Sequence, residues 1–420
     1  MTTAAPLLNR NLLIWLIGSA QSQLGSALAS IALSFLVLHQ TGSAGQMALT
    51  LACGVGPNLL MPLAGALVDR LPLKVPLIGA DVLRGLLQLT VALLALRLGE
   101  VPLWLVNGAA LIGGLAGIFA GPASGAAFPQ LVPEAQLARA NGLNGSVSQG
   151  AWLLGMLGGG VLVARVGPPV AILLDGLSFL IMAALLTLVR LPHRPPATGP
   201  RGSVLADVQS GLQLMRRSKV LSLVPVIGFV VNAAIAPVTV ITPKLMETLG
   251  PGAGGYGLFL AIEGAGAVLG GLLITALGAR LPVKRTTAAG MVLLALAYLL
   301  MAAWPVYVGL LGAALLVGLA MALVNTPLST LMQQMVPPSY LGRVFSVLGT
   351  VATLGMPLTL LLVAPLVDRF PVSRFFTVAG LLVLAGGAAW VLVALAERTP
   401  PDLSVPETPD DRQPPTAPAL

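Results

Sequence analysis

This chain of 420 residues has very little charge, since Asp, Glu, Lys and Arg together make up only 9% of it. Soluble domains carry about 25% charged residues, so the composition excludes an ordinary water-soluble protein. Hydrophobic residues make up 56% of the chain and the mean hydropathy is +0.94. Uncharged runs of about 20 residues recur from end to end, and each is long enough to cross a bilayer as a helix. The sequence therefore predicts an all-α membrane protein.

Residues that build disulfides, metal centres and nucleic-acid surfaces are also scarce. The one cysteine, Cys53, lies in an apolar run, which excludes an intrachain disulfide and a cysteine metal cluster. The two histidines, His39 and His193, fall at expected loops and are interpreted as solvated rather than metal-ligating. The net charge is +8, but the basic residues are dispersed and aromatics are 5%, so no nucleic-acid partner is expected. No Walker loop, zinc-spaced histidines or nucleophile elbow occurs, so neither a cofactor nor an enzyme is predicted.

A charged turn between two apolar runs occurs twice, at residues 65–74 and again, 210 positions later, at 276–284. Across the 21 aligned positions that end with this turn, 10 residues are identical. The chain is therefore expected to consist of two related halves, a duplication typical of many secondary transporters. The basic residues of the first copy, Arg70 and Lys74, align with Arg280 and Lys284 of the second.

The apolar runs predict twelve transmembrane helices, six in each half. The expected organisation is a first bundle over 1–190, a linker with a short amphipathic helix over 191–220, a second bundle over 221–398 and a disordered tail over 399–420. With the N-terminus inside, 17 Lys and Arg fall on the inner side and 5 on the outer side, which places both termini in the cytoplasm. The predicted spans are 12–38, 46–67, 76–97, 102–125, 141–164, 168–189, 221–243, 255–277, 287–303, 306–328, 344–366 and 375–396.

The first turn resembles the signature of the major facilitator superfamily, Gly-x-x-x-Asp-Arg-x-Gly-Arg-Lys. Pro72 and Leu73 depart from that signature, whereas the matching residues are Gly65, Asp69, Arg70 and Lys74. Segments 175–180, 211–219 and 341–344 resemble the branch that contains the enterobactin exporter and macrolide efflux proteins. The resemblance implies two pseudo-symmetric six-helix bundles and alternating access, with helices one, four, seven and ten facing a central path.

Acidic residues near the first turn are unexpected, because the positive-inside rule predicts only bases there. Asp69 lies at a helix end, and Asp81 and Arg84 follow one to three turns into the third span. We interpret these charges as a gating cluster that closes one face in one state; the alternative is ordinary interfacial charge. Ala279 stands where the second copy would carry the acid. The predicted gating cluster is Gly65, Asp69, Arg70, Lys74, Asp81, Arg84, Arg280 and Lys284.

Two further acids fall inside predicted spans and are candidates for coupling or substrate contact. Glu263 lies about eight residues into the eighth span, with no base within four positions, and desolvation there favours its protonated form. That property suits proton coupling; the alternative is a carboxylate that reaches water or Lys244. Asp175 lies two turns into the sixth span, where a structural hydrogen bond is favoured over a role in transport.

A stripe of polar residues lies on the first span at spacings of four, three and four, hence on one helix face. Such a stripe lines a wet cavity or joins helices by hydrogen bonds, and the resemblance favours the cavity. The predicted cavity-lining residues are Ser19, Gln23, Ser26, Ser30, Asn107, Asn232 and Asn325. The fifth span is glycine-rich, which allows close helix packing; its predicted packing residues are Gly155, Gly158 and Gly159.

Together these features predict a proton-driven multidrug exporter of a small, largely apolar compound, a drug or siderophore-like molecule. The expected partners are that substrate, protons and the lipid bilayer, with the chain acting as a monomer in a bacterial cytoplasmic membrane. One alternative is a proton-coupled symporter that imports a small metabolite. An alternative of another class is a non-transporting membrane sensor or lipid-handling protein.

Overall fold

The computed structural model describes residues 9–68, 71–191, 204–337 and 340–397. Within these residues the chain forms α-helices and short 3₁₀ turns, without strands. Helical backbone satisfies its own hydrogen bonds, as the interior of a bilayer requires. The helices are α1 (Arg10–Thr41), α2 (Ala44–Val55), α3 (Met61–Val68), α4 (Lys74–Leu98), α5 (Leu103–Ala127), α6 (Leu137–Val166), α7 (Pro168–Leu188), α8 (Val204–Met215), α9 (Lys219–Leu249), α10 (Gly252–Leu277), α11 (Val283–Ala303), α12 (Tyr307–Met335), α13 (Leu341–Val363) and α14 (Val372–Ala396).

Eleven helices of the described part of the chain are long and apolar enough to cross a membrane. The twelfth crossing is not one rod, because a 3₁₀ segment, Gly56–Leu60, separates α2 from α3. Pro57 lies near the start of this segment and has no N–H to continue the α-helical hydrogen bonds. The predicted span 46–67 is therefore present but interrupted.

Short polar residues and glycines set the ends of several helices. Asn9 and Ser43 cap α1 and α2, where their side chains accept hydrogen bonds from the N–H groups of Leu12 and Gln46. Gly42 follows α1 with a φ of 65°, a left-handed conformation that glycine adopts without strain. The chain thus reverses within two residues between α1 and α2.

The helices form two six-helix bundles with matching internal packing. In the first bundle, α1 packs against α6 and α7, and α4 packs against α5 and α7. In the second bundle, α9 packs against α13 and α14, and α11 packs against α12 and α14. Each pair in one bundle has its counterpart in the other, which is the packing expected of duplicated halves. The helix of the linker, α8, lies against α13, and the tail from residue 398 is outside the described residues.

The two bundles meet through α6 with α10 and through α2 with α13. We call the side where α1 begins and α14 ends the terminal side, and the side where α1 and α9 end the opposite side. Gly160 of α6 lies so close to Gly257 of α10 that a Cβ added at Gly160 would be 2.7 Å from the Cα of Gly257. α2 packs on α5 of its own bundle and on α13 of the other, whereas α3 packs on α5. The bundles therefore lie closest together toward the opposite side.

Two of the three glycines predicted to pack helices lie at a close approach of α6 to α1. A Cβ added at Gly155 would be 2.7 Å from the carbonyl oxygen of Leu24, and one at Gly159 would be 3.1 Å from the Cα of Leu28. Gly158 is exposed, and its added Cβ would make only an ordinary contact at 3.8 Å. Close packing thus depends on Gly155 and Gly159.

Candidate functional site

Two adjoining cavities lie among the described residues of the first bundle. The larger has a volume of about 720 Å³ and lies toward the terminal side, between Trp15, Leu77 and Phe128. The smaller has a volume of about 250 Å³ and extends past Thr50 and Val106 toward the opposite side. Residues from α1, the broken crossing, α4, α5 and α7 line both cavities: Ser26, Gly54, Arg84, Gly114 and Phe179.

Three charged side chains surround the junction of the two cavities. The Arg84 guanidinium lies over the ring of Phe179, 4.5 Å from its centroid. It interacts electrostatically with Asp175 of α7 and, one turn away on its own helix, with Asp81. Asp81 and Arg84, predicted as part of a gating cluster at the turn, therefore lie inside the first bundle with Asp175.

Asp175 is 2% exposed and is fully engaged by neighbouring side chains. Its Oδ1 accepts hydrogen bonds from Ser26 at 3.3 Å and Ser178 at 3.4 Å, and its Oδ2 accepts one from Gln88 at 3.1 Å. These contacts join α7 to α1 and α4. The predicted structural hydrogen bond at Asp175 is thus present, in a residue that also borders the smaller cavity.

Replacing Asp175 with alanine is expected to destabilise the protein. The variant leaves Ser26, Gln88 and the charge of Arg84 without their acceptor inside the bundle, and removing one partner of such a buried group costs about 3–5 kcal/mol. Thermal unfolding in detergent should show a fall in Tm of several degrees. Asp175→Asn keeps one acceptor oxygen and should lose less; equal Tm values for both variants and the parent would contradict this role.

The polar stripe of α1 lies in the cavity walls. Ser19 and Gln23 line the larger cavity, Ser30 lines the smaller one, and Ser26 lines both. Ser30 also donates a hydrogen bond to the carbonyl oxygen of Ala27 at 2.8 Å, within its own helix. The residues that the spacing places on one face of α1 therefore form one wall of the site.

The three asparagines predicted to line a cavity do not border either one. Asn107 accepts a hydrogen bond from the Thr50 hydroxyl at 2.6 Å, which joins α5 to α2. Asn232 donates to the carbonyl oxygen of Gly228 at 2.9 Å within α9, and Asn325 is exposed on α12. Their position on a path between the two bundles stays a prediction.

Glu263 lies half-buried in α10, and within the described residues it makes no side-chain hydrogen bond or ion pair. Its carboxyl group is within electrostatic range of the tyrosine hydroxyls of Tyr256 and Tyr298, both buried in the second bundle. The suggested contact with Lys244 is wrong, because Lys244 pairs with Asp368. Glu263 is thus an unpaired acid of the second bundle.

At the repeated turn, Asp69 and Arg70 lie outside the described residues. Lys74 donates a hydrogen bond to the carbonyl oxygen of Thr187 at 3.1 Å, and Gly65 faces Pro122 of α5. In the second copy, Arg280 is exposed, and Lys284 donates to the carbonyl oxygen of Glu397 at 2.6 Å. The two turn lysines therefore play one common part, since each fastens the start of a helix to the end of the last helix in its bundle.

Sequence reasoning missed a polar connection between the bundles at the opposite side, which we call the Asp368 latch. Asp368 lies between α13 and α14 and accepts hydrogen bonds from the Ser43 hydroxyl at 2.5 Å and from the N–H groups of Ala44 at 3.1 Å and Gly45 at 3.0 Å. It also pairs with Lys244 of α9 at 2.5 Å. Its carboxylate thus sits at the N-terminus of α2, where the helix dipole favours a negative charge.

The surroundings of Asp368 favour its ionised form. Partial burial opposes ionisation, but the hydrogen bonds from Lys244, Ser43, Gly45 and Ala44 outweigh burial and lower the pKa of Asp368 to about 2. A weaker contact nearby joins His39 of α1 to Glu247 of α9 at 3.4 Å, between half-exposed side chains. No spacing pattern in the sequence suggests these pairs, because their partners lie on different helices.

Comparisons with known proteins agree with this architecture. The family model described as the Major Facilitator Superfamily matches residues 15–358 and 226–419. Macrolide efflux protein A of Streptococcus pyogenes is 26% identical over 379 residues, which cover 88% of this chain and 92% of that protein. Multidrug efflux pump Tap of Mycobacterium tuberculosis (strain ATCC 25618 / H37Rv) is 30% identical over 388 residues, which cover 89% and 91%.

Among solved structures, a bacterial homologue of the iron transporter ferroportin in its inward-facing state superposes with a TM-score of 0.71 at 16% identity, covering 92% of this chain and 98% of that one. The two matched six-helix bundles, the family model and these relatives together define a membrane transporter rather than an enzyme. The chain belongs to the Major Facilitator Superfamily.

Proposed function

We propose that this protein is a proton-driven exporter of small, largely apolar compounds in the cytoplasmic membrane of a bacterium. The observation that carries the proposal is the asymmetry of the two sides, a cavity toward the terminal side and the Asp368 latch at the opposite side. A transporter that loads its substrate at the terminal side and releases it at the opposite side requires such a state in its cycle.

The direction of transport depends on which side is cytoplasmic. The distribution of 17 Lys and Arg on the terminal side against 5 on the opposite side supports a cytoplasmic terminal side. Both termini then lie in the cytoplasm, and the state with the latch closed loads from within the cell. We place the bundles at 1–190 and 221–398, joined by the linker, and propose that one chain carries the whole pathway.

The walls of the cavities support a substrate with a largely apolar body. Trp15, Phe128 and Phe179 supply aromatic surface, and the polar stripe of α1 supplies hydroxyl and amide groups along one side. A pocket of this kind binds through apolar contact and fixes orientation with a few polar groups. The efflux activity in the names of the two relatives supports export of such compounds.

We propose Glu263 as a proton-coupling residue, because an unpaired acid at that depth is less costly when protonated. Replacing Glu263 with glutamine should remove the response of transport to a pH gradient, since glutamine keeps the shape but cannot release a proton. The measurement is uptake into inverted membrane vesicles with and without an imposed gradient. Glu134→Gln, at an exposed acid just before α6, is the matched control; a retained pH response in Glu263→Gln would remove Glu263 from this role.

Erythromycin is a suitable first probe for the whole proposal, given the macrolide relative. An exporter should accumulate it in inverted vesicles when their lumen is acidified, and should lower its level in intact cells. A symporter for import predicts the reverse, with accumulation in cells. A sensor or lipid-handling protein predicts no movement in either preparation, and a growth-inhibition panel of antibiotics and siderophores would extend the test to other compounds.

The turn at 65–74 is proposed to stabilise one state at the cytoplasmic side. Asp69 and Arg70 provide charges there, and the Lys74 contact with Thr187 anchors the following helix. A few kcal/mol of pairing in one state is enough to shift a two-state equilibrium strongly. The Asp368 latch would then act at one side and this turn at the other.

A further inference from the structure

The larger cavity of the first bundle has neutral polar side chains in its wall that bond to nothing else in the described part of the chain. Hydroxyl groups on helices can instead bond to a carbonyl oxygen one turn earlier, as Thr242 does to Val238 at 2.7 Å and Thr286 to Pro282 at 3.0 Å. The cavity residues without any side-chain hydrogen bond to a described residue are Ser19, Ser22, Gln23, Asn58, Ser124, Asn141, Asn144 and Ser148. Their donors and acceptors are therefore available to a molecule in the cavity.

Most of these side chains lie on two helices that pack against each other, α1 and α6. On α6 the residues follow at spacings of three and four, which places them on one helix face. Those on α1 lie within two turns of Trp15, near the start of that helix. The two polar faces thus form one continuous amide and hydroxyl surface toward the terminal side. Its members are Ser19, Ser22 and Gln23 on α1, and Asn141, Asn144 and Ser148 on α6.

Asn144 is the member of this surface that most needs a partner. Its side-chain oxygen is buried and has no hydrogen-bond partner among the described residues. A buried polar group without a partner is unfavourable. Because Asn144 lines the cavity and the torsion of a terminal amide is broad, rotation of the amide can offer this oxygen to a ligand.

The wall of the larger cavity carries no net formal charge in the described residues. Its two charged members, Asp81 and Arg84, have opposite signs, lie one turn apart on α4 and interact electrostatically. Every other residue that lines the cavity is neutral. Hydrogen bonding rather than net charge therefore distinguishes the ligands that fit this wall.

The chemistry of the surface suits hydroxyl groups. Amide and hydroxyl side chains each offer donors and acceptors, whereas an ammonium group only donates and a carboxylate only accepts. A ligand hydroxyl can do both, so several hydroxyls on one ring can use such a surface fully. Trp15, Phe128 and Leu186 supply apolar contact within the same cavity of about 720 Å³, a volume in the range of small-molecule sites, about 300–1,000 Å³.

We propose that the amide and hydroxyl surface of α1 and α6 binds a neutral substituent with several hydroxyl groups, such as a glycosyl ring, while the apolar body of the same molecule packs on the aromatic wall. Asn144 is the residue that discriminates most between a hydroxylated substrate and its bare apolar counterpart. This inference rests on the proposed function and adds the polar part of the substrate.

A pair of neutral probes tests the assignment. The compounds para-nitrophenyl β-glucoside and para-nitroanisole share an aromatic ring, but the first carries a sugar where the second carries a methyl group. Binding of each to the full chain in lipid nanodiscs is measured by equilibrium dialysis, with binding to empty nanodiscs subtracted. The parent protein should bind the glucoside at least about tenfold more tightly, because a site built for hydrogen bonds rejects a ligand that cannot form them. Equal affinity for both probes, or preference for the nitroanisole, would overturn the proposal without any variant.

Variants then locate the discrimination. Asn144→Leu should weaken glucoside binding about tenfold, the effect of about one hydrogen bond, without weakening nitroanisole binding. Asn144→Ser keeps a donor and an acceptor and should lose less. Gln149→Leu, at an exposed amide of α6 that lines neither cavity, is the matched control and should change neither probe. Equal loss of both probes in Asn144→Leu would show that Asn144 only shapes the cavity and would overturn its assignment.

The assignment and the proposed function can fail separately. A chain that binds the glucoside through Asn144 but moves no erythromycin in either preparation would contradict the proposed function while sustaining this surface. A chain that exports erythromycin but binds both neutral probes equally would contradict the surface alone.

Discussion

Replacing Gly160 with alanine is expected to reduce transport by about thirtyfold while the protein still folds. The added Cβ would be 2.7 Å from the carbonyl oxygen of Ala253 and 2.7 Å from the Cα of Gly257, both backbone atoms of α10 that cannot turn aside as a side chain would. Overpacking of this kind costs about 1–3 kcal/mol. Because the contact joins the two bundles toward the opposite side, the substitution destabilises the state in which the opposite side is closed.

A neighbouring glycine provides the control. Gly158 is two positions earlier on α6, is exposed, and would place its new Cβ 3.8 Å from the nearest side-chain atom, a methyl group of Leu28. Gly158→Ala should therefore transport at the parent rate. Vesicle transport of erythromycin at matched expression compares the three proteins. Similar rates for Gly158→Ala and Gly160→Ala would show that the close approach of α6 and α10 has no part in the cycle.

Replacing Asp368 with alanine is expected to open the opposite side in a large fraction of molecules. The variant removes the acceptor for Ser43, Ala44 and Gly45 and the partner of Lys244. Each hydrogen bond to a charged group contributes about 1.5–3 kcal/mol, and the partial exposure of Asp368 reduces the sum. A net loss of about 2 kcal/mol shifts the equilibrium about thirtyfold.

Pulsed electron paramagnetic resonance can follow this opening. Spin labels at Glu100→Cys in the first bundle and Leu249→Cys in the second, with Cys53→Ser removing the native thiol, report the distance across the opposite side. Glu247→Ala removes the half-exposed contact with His39 and should change the distances little, since exposed pairs contribute about 0–1 kcal/mol. An unchanged distance distribution in Asp368→Ala would rule out the latch.

The latch also has a defined pH dependence. The pKa of Asp368 is about 2 in the closed state, against an ordinary value of 3.8. Its contribution is therefore complete above about pH 4 and is lost as the pH falls toward 2. The difference in spin-label distances between the parent protein and Asp368→Ala should therefore stay constant from pH 7.5 to pH 5, because Asp368 stays ionised throughout this range.

Most of the architecture could be predicted from the sequence, because a bilayer makes each crossing a long apolar helix. The short amphipathic helix of the linker was also expected at the position of α8. The break at Gly56–Leu60 was not expected, although Gly54, Gly56 and Pro57 all signal a weak helix. In an apolar run those residues are compatible with a continuous helix as well, and only tertiary packing decides whether the helix continues or breaks.

The site could be predicted from the sequence only where its residues lie on a single helix. The α1 stripe follows from spacing alone, as does the Asp81–Arg84 pair on α4. Bringing Asp175 to that pair requires α4 and α7 to be adjacent, and bringing Asp368 to Ser43 joins residues 325 positions apart. No local pattern encodes such distances. The roles of Asp69 and Glu263 stay predictions, and the proposed experiments address Glu263.

The interrupted second crossing affects how the bundles can move. Hydrogen bonds along a continuous α-helix resist bending at every turn, but they are broken between α2 and α3. α2 packs on both α5 and α13 and so contacts both bundles, whereas α3 packs on α5 of its own bundle. The break between α2 and α3 is therefore a hinge, at which the angle between the two helices can change while each helix stays intact.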